Sequence, residues 1–234
     1  QDFARAKTQT LQAIEQSKKQ AASIAQVVYQ LLLMGQNNPV AHLNIGTAET
    51  VGNITIDDVR AFYKQRYSPR IANIIAVSNL ESNDLLQHLD AFSDWQGGEV
   101  ADVSMLPFPA QGPTKIYLID KPGAVSSEIM MGRLALNYDA TGEYYRARLS
   151  NYALGAAFNS RINLNLREDK GYSYGAGSYF QGQKDYGFFS ASAAVRTNAT
   201  AASLRDFENE IPNYVEHGIT PEELSFTRRA IGQR

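Results

Sequence analysis

Residues 158–180, F-N-S-R-I-N-L-N-L-R-E-D-K-G-Y-S-Y-G-A-G-S-Y-F, gather the side chains best able to do chemistry on a polar substrate. Arg161 and Arg167 flank an Asn- and Leu-bearing turn, Gly171 breaks the helical pattern, and Tyr172, Tyr174 and Tyr179 enter a strand. A guanidinium offers five donors in fixed geometry and a phenol offers one. An Arg and a Tyr straddling a helix-to-strand corner can therefore grip a peptide carbonyl and stabilise a developing oxyanion. The same residues equally suit an ordinary helix end and a half-exposed strand, so their types alone do not decide.

Metal chemistry has little to work with. The chain has no cysteine and three histidines, so disulfides, thiolate zinc sites and cysteine nucleophiles are excluded. His42 falls in a loop, His88 on a helix and His217 at a helix end. Residues 213–217, N-Y-V-E-H, would read as the inverted zinc motif H-x-x-E-H if Asn213 were His. An Asn amide does not replace an imidazole on zinc, and Gly218 ends the helix at once. His217 is therefore read as a helix C-terminal residue favoured by the dipole.

Composition bounds the partners. The 234 residues are 44% hydrophobic and 20% charged, enough for one or two globular domains with a real core. Lys and Arg number 22 against 24 Asp and Glu, a net charge of -2, with no basic excess to neutralise a nucleic acid. The longest apolar runs, 27–35 and 74–80, fall well short of the roughly 20 residues that a membrane-spanning helix needs. No membrane span is expected.

The elements that must position the candidate residues follow from periodicity. Residues 2–34 read as one long, bent amphipathic helix stopped by Gly35 and Pro39, with a loop through His42 to Gly46. A second helix starts at Thr55 on a T-I-D-D capping pattern, with Val59, Phe62 and Tyr63 as its buried face. R-I-A-N-I-I-A-V-S-N at 70–79 reads as a buried strand, and a third helix runs from Ser82 to near Trp95. The Gly- and Pro-rich stretch 96–113 marks an internal boundary. Beyond it come strands at 114–120 and 125–133, then a helix from about Thr141 that continues after a break into 160–169. An antiparallel hairpin spans 172–195, and helices follow at about 199–217 and from Thr220. The chain opens and closes inside helices, which reads as a segment of a longer polypeptide.

L-R-E-D-K-G-Y-S-Y at 166–174 resembles the signature of the second, non-zinc-binding module of pitrilysin and insulinase-type zinc metallopeptidases and their mitochondrial-processing-peptidase relatives. S-R-I-N-L-N-L-R-E before it, D-K-P-G-A at 120–124, T-x-x-D-V-x-x-F-Y at 55–63 and T-P-E-E-L at 220–224 agree in order and spacing. The resemblance spans nearly the whole chain.

The resemblance implies an α+β fold of mostly antiparallel sheets with helices packed on one face. Residues 1–105 would be the trailing half of one repeat and 106–234 the leading half of the next. It implies that two such halves close around an unfolded peptide, with zinc on the partner module, in the same chain or another subunit, and none here. Arg167 and Tyr174, seven residues apart, would then be the catalytic contributors, with Arg161, Gly171 and Gly175 as substrate-binding positions. The peptide would add as a strand to a sheet edge. Without H-x-x-E-H this chain would be inactive alone, and a periplasmic location is expected, with the cytoplasm as the alternative. A non-catalytic scaffold or peptide-binding subunit of the same fold is the competing reading.

Overall fold

A computed structural model describes residues 2–102 and 105–232. They form two units: 2–14 with 45–102, and 15–44 with 105–232. Residues 2–34 form two helices, α1 (Asp2–Ser17) and α2 (Ala21–Met34), broken at Lys18–Gln20. The expected bend is thus a full interruption.

The first unit is helical among the described residues. α3 (Ala48–Asn53), in a stretch where no element was expected, is capped by a reciprocal pair between Thr47 and Thr50. α4 (Ile56–Arg66) begins on the expected capping box, in which Thr55 Oγ1 accepts from Asp58 N while Thr55 N donates to Asp58 Oδ2. Hydrogen bonds from Thr55 hold the Asp58 carboxyl below the usual carboxylate range. α5 (Ser82–Leu89) follows near its expected start. Two expectations fail here. Residues 72–79 form no strand, leaving Val77 98% exposed, and Val59, Phe62 and Tyr63 on α4 are exposed rather than buried. The two failures share a cause, because a helix can bury an apolar face only against a layer, and no ladder forms at 70–79 to provide one.

In the second unit the expected strand at 114–120 is likewise unpaired, with Leu118 92% exposed. The sheet consists of β1 (Ser126–Leu134), β2 (Ser173–Gly182) and β3 (Gly187–Arg196), antiparallel in the order β1-β3-β2. β1 pairs with β3 from Ser126↔Arg196 to Leu134↔Phe188, and β2 with β3 from Gly182↔Gly187 to Ser173↔Val195. Alternation sorts β3 between two faces. Ala191, Ala193 and Val195 meet a helical layer formed by α6 (Glu143–Asn151), α7 (Arg161–Asn163), α8 (Thr200–His217) and the turns between them. Leu154, Ile162, Leu166 and Phe207 fill that core. On the opposite face Phe188 packs with Met34 and Tyr29 of α2. Burial there pushes the Tyr29 phenol up to about 12. α9 (Pro221–Gly232) starts on the expected Thr220 cap, with Thr220 N donating to Glu223 Oε2 at 2.8 Å.

The helical layer also approaches β2 closely. Residues 152–156 and 164–169 are π-helical turns. A Cβ added to Gly155 in the first would lie 2.1 Å from Ser178 Oγ and 2.3 Å from Ser178 N, so glycine alone fits. Replacement Gly155→Ala is expected to destabilise the protein by about 1–3 kcal/mol through overpacking, measured as a lower midpoint in urea unfolding at an unchanged slope.

Candidate functional site

The corner between the second π-helical turn and β2 carries Arg167 and Tyr174. Gly171, at φ +59°, is its apex: the left-handed conformation reverses the chain, with Gly171 N donating to Arg167 O and Tyr172 N to Leu166 O. Lys170 Nζ, 2.5 Å from Asp206 Oδ1, ties the corner to α8. The ladder from β2 to β3 is then interrupted: Ser173 faces Val195 but Ala176 faces Ala193, so β2 carries one extra residue, a bulge. Ser173 Oγ donates to Gly175 O and accepts from Gly175 N, which closes the bulge locally. Tyr174, 99% exposed, projects from it.

Arg167 sits on the other arm of the corner. Its guanidinium lies over the Phe158 ring at 4.5 Å from the centroid, and Nε is 3.3 Å from Glu168 Oε1. That carboxylate is partly exposed and adjacent in sequence, so the pair holds the guanidinium only weakly. Aromatic stacking orients Arg167 while leaving donors available.

Of the other candidates, Gly175 lies in the bulge with open space where a Cβ would be, and Gly171 is likewise unobstructed. Gly177 differs, since a Cβ there would approach Gly155 O to 2.5 Å. Arg161 is turned elsewhere. Its Nε and Nη2 donate to the two carboxylate oxygens of Glu223 at 2.5 and 2.7 Å, Nη2 also donates to Gly218 O, and the guanidinium covers the Tyr214 ring at 4.7 Å. This fork joins α7 to the α8–α9 junction. Glu223, read from sequence only as a cap, thus serves two partners.

Two residues that sequence reasoning did not single out position the corner. Asn163 Oδ1 accepts from Ala176 N at 3.1 Å, just past the bulge, and its amide donates to Phe158 O. Asn151 Nδ2 donates to Ser178 O at 2.7 Å, and Ser178 Oγ donates back to Asn151 Oδ1. Buried Asn on an otherwise apolar helix face was the available signal, since a buried amide demands partners.

No group of His, Asp and Glu among the described residues is arranged to hold a metal. In 213–217, Tyr214 is buried with its hydroxyl on Ser150 O, and His217 Nδ1 contacts Asn213 O within the helix. The donor set does not fit zinc.

The model of the family described as the peptidase M16 inactive domain matches residues 53–231. The chain belongs to this family. An uncharacterized zinc protease of Streptomyces coelicolor is 26% identical over 202 residues, covering 84% of this chain and 43% of that protein. A Helicobacter pylori protein named a non-peptidase homologue is 20% identical over 224 residues, 95% of this chain and 51% of its own. The crystal structure of an M16 inactive domain from Pseudomonas fluorescens superposes with a TM-score of 0.88 at 24% identity, covering 99% of this chain and 55% of that one. The periplasmic protease PqqL of Escherichia coli gives 0.76 at 13% identity, over 99% of this chain and 25% of that one. The chain spans about half the length of the curated relatives it matches. No helix among the described residues is long and apolar enough to cross a membrane.

The Arg161–Glu223 fork has a pH signature. Hydrogen bonds from Arg161 hold the Glu223 carboxyl below its ordinary value. Its stabilising contribution is complete above the unfolded-state pKa of a glutamate, about 4.3, and is lost as pH falls through the depressed folded value. Thermal melts from pH 7 to pH 3 should therefore decline less steeply in Glu223→Gln than in the parent protein. Parallel declines would show that the pair contributes nothing.

Proposed function

We propose that this chain is the substrate-gripping, non-zinc half of a zinc-dependent metalloendopeptidase that degrades or processes unfolded peptides. The observation that carries the reading is the corner itself: a fully exposed phenol on a strand bulge, fixed through Asn163 and Gly171 relative to a stacked arginine. Relatives named zinc proteases, matched over about half their length, support a second module that holds the metal.

In this reading the other module would hold a zinc ion, which would supply Lewis-acid polarisation of the scissile carbonyl. The groups of this chain bind and stabilise. An unfolded peptide lies extended along an outer strand of the sheet, where main-chain hydrogen bonds give affinity with little side-chain selectivity. Arg167 donates to a main-chain carbonyl of that peptide and fixes its register. Tyr174 donates its hydroxyl to the oxygen that becomes negative as the tetrahedral intermediate forms. Its exposure means that the phenol completes its surroundings only when the opposing module and the peptide close over it. Closure then removes water and strengthens the hydrogen bond. Gly171 and the bulge at 173–176 set the direction of both side chains. The periplasm is the proposed compartment, on the precedent of PqqL.

A scaffold role in the same fold is the second reading, favoured by the Helicobacter relative named a non-peptidase homologue. Turnover separates the two. With the zinc-binding module present, Tyr174→Phe should lower kcat on a quenched unstructured peptide by about a hundredfold with little change in KM. Arg167→Ala should raise KM as well. The chain alone should show no chelator-sensitive proteolysis. Peptide binding without turnover in the unmodified protein would move the assignment to a scaffold.

A further inference from the structure

α2 does not close against the sheet along its whole length. At its C-terminal end it is seated: Tyr29 Oη lies 3.5 Å from Phe189 O, and a Cβ on Gly132 would meet that hydroxyl at 1.9 Å. One to two turns earlier the same helix face carries Ala22, Ala25 and Gln26. The opposing strands there present Gly175, Gly177, Ser192 and Ala194. With Met130 and Glu128 of β1 beside these small residues, a groove of about 400 Å³ remains, in the range of small-ligand sites, about 300–1,000 Å³.

Glu128 of β1 is the ionisable residue lining this groove. It sits opposite Ala194 in the register, half-buried. Among the described residues its carboxylate has one hydrogen bond, from Ser126 Oγ to Oε1 at 3.2 Å, and no ion pair. A carboxylate that loses part of its hydration on an alanine-lined wall is best satisfied by a cation that enters with the ligand. Continuity with the corner identifies that ligand. Gly175, in the floor of the groove, directly follows Tyr174 in the bulge.

We infer that the groove between α2 and the sheet is a specificity subsite that takes a Lys or Arg side chain of the bound peptide, with Glu128 as its counter-charge. The inference rests on the peptide-binding reading above and deepens it. The alanines of α2 and Ala194, with Met130 of β1, give the alkyl stem an apolar lining, and the ammonium or guanidinium reaches the carboxylate at the β1 side. The main chain of the same peptide runs on past the glycine bulge toward Tyr174. Selectivity for a cationic residue thus adds to a mode of binding that is otherwise tolerant of sequence.

The test uses the complete protein with its zinc-binding module and two quenched unstructured peptides that differ only by Lys or norleucine at one position. Affinity is measured by anisotropy with chelator present, and turnover without it. The Lys peptide should be favoured in both. Glu128→Gln should reduce the preference for Lys over norleucine about tenfold, as a rise in the Lys-to-norleucine ratio of Kd and a fall in that of kcat/KM at low salt, with an unchanged melting temperature. Ala25→Met, which fills the groove, should weaken both peptides. Equal ratios in parent and Glu128→Gln, no binding of either peptide, or full affinity in Ala25→Met would each overturn the subsite. A Glu128-dependent preference in Kd without Tyr174-dependent turnover would sustain the subsite and sink the metallopeptidase reading. The converse would sink the subsite alone.

Discussion

The outer strand β2 is fastened to the helical layer by side-chain amides, and the geometry of the corner descends from that fastening. Asn163 takes up Ala176 N and Asn151 takes up Ser178 O, so two backbone groups of β2 that β3 does not pair are satisfied from the helices. An unpaired buried group costs about 1–3 kcal/mol, whereas the made bond is worth about half that net. The arrangement therefore gains definition more than stability. Gly155 lets the π-helical backbone come close enough for these bonds, since a Cβ would already collide with Ser178. With β2 pinned on both sides of 177, the extra residue of the ladder is confined to 173–176, and Tyr174 is the side chain it turns outward.

π-Helical turns are rare and tend to mark functional places. Here two occur in one connection, at 152–156 and 164–169, flanking the short α7. The second delivers Arg167 to the corner and places its carbonyl for Gly171 N. The anchoring groups around it divide by exposure. Arg161–Glu223 is mostly buried and bidentate and works as a strut between α7 and the α8–α9 junction. Arg167–Glu168 is partly exposed and geometrically poor, which leaves the guanidinium free to exchange partners. Two arginines six residues apart thus receive opposite tasks from their surroundings, one immobilised and one available.

The unpaired stretches 72–79 and 114–120 show where local reading stops. Both have the β-branched, apolar composition of buried strands, and both form no strand and leave their side chains exposed. A strand is a property of a pair: without a neighbouring chain to complete the ladder, composition has nothing to act on. Val59, Phe62 and Tyr63 of α4 inherit the consequence, since the amphipathic face was legible but the surface to receive it was not. Tyr63 and Tyr67 stack on each other instead, ring centroids 5.0 Å apart.

What the sequence determined by itself is what depends on a few neighbouring residues. The Thr55–Asp58 and Thr220–Glu223 caps, the Gly218 stop, the hairpin at 173–196 and the left-handed Gly171 all follow from rules that act within about six residues. The motif at 166–174, with its matching surroundings, was enough for the family. Tertiary structure alone decided the rest. It committed Arg161 to Glu223, 62 positions away, and Asn163 to Ala176 across the corner. It left Gly175 open but filled the space beside Gly177, and it set Ala22 and Ala25 opposite Ser192 and Ala194 so that a groove remained. The physical reason is the same in each case. A donor, a small side chain or a carboxylate acquires a role only from the group brought against it, and that group comes from a distant part of the chain.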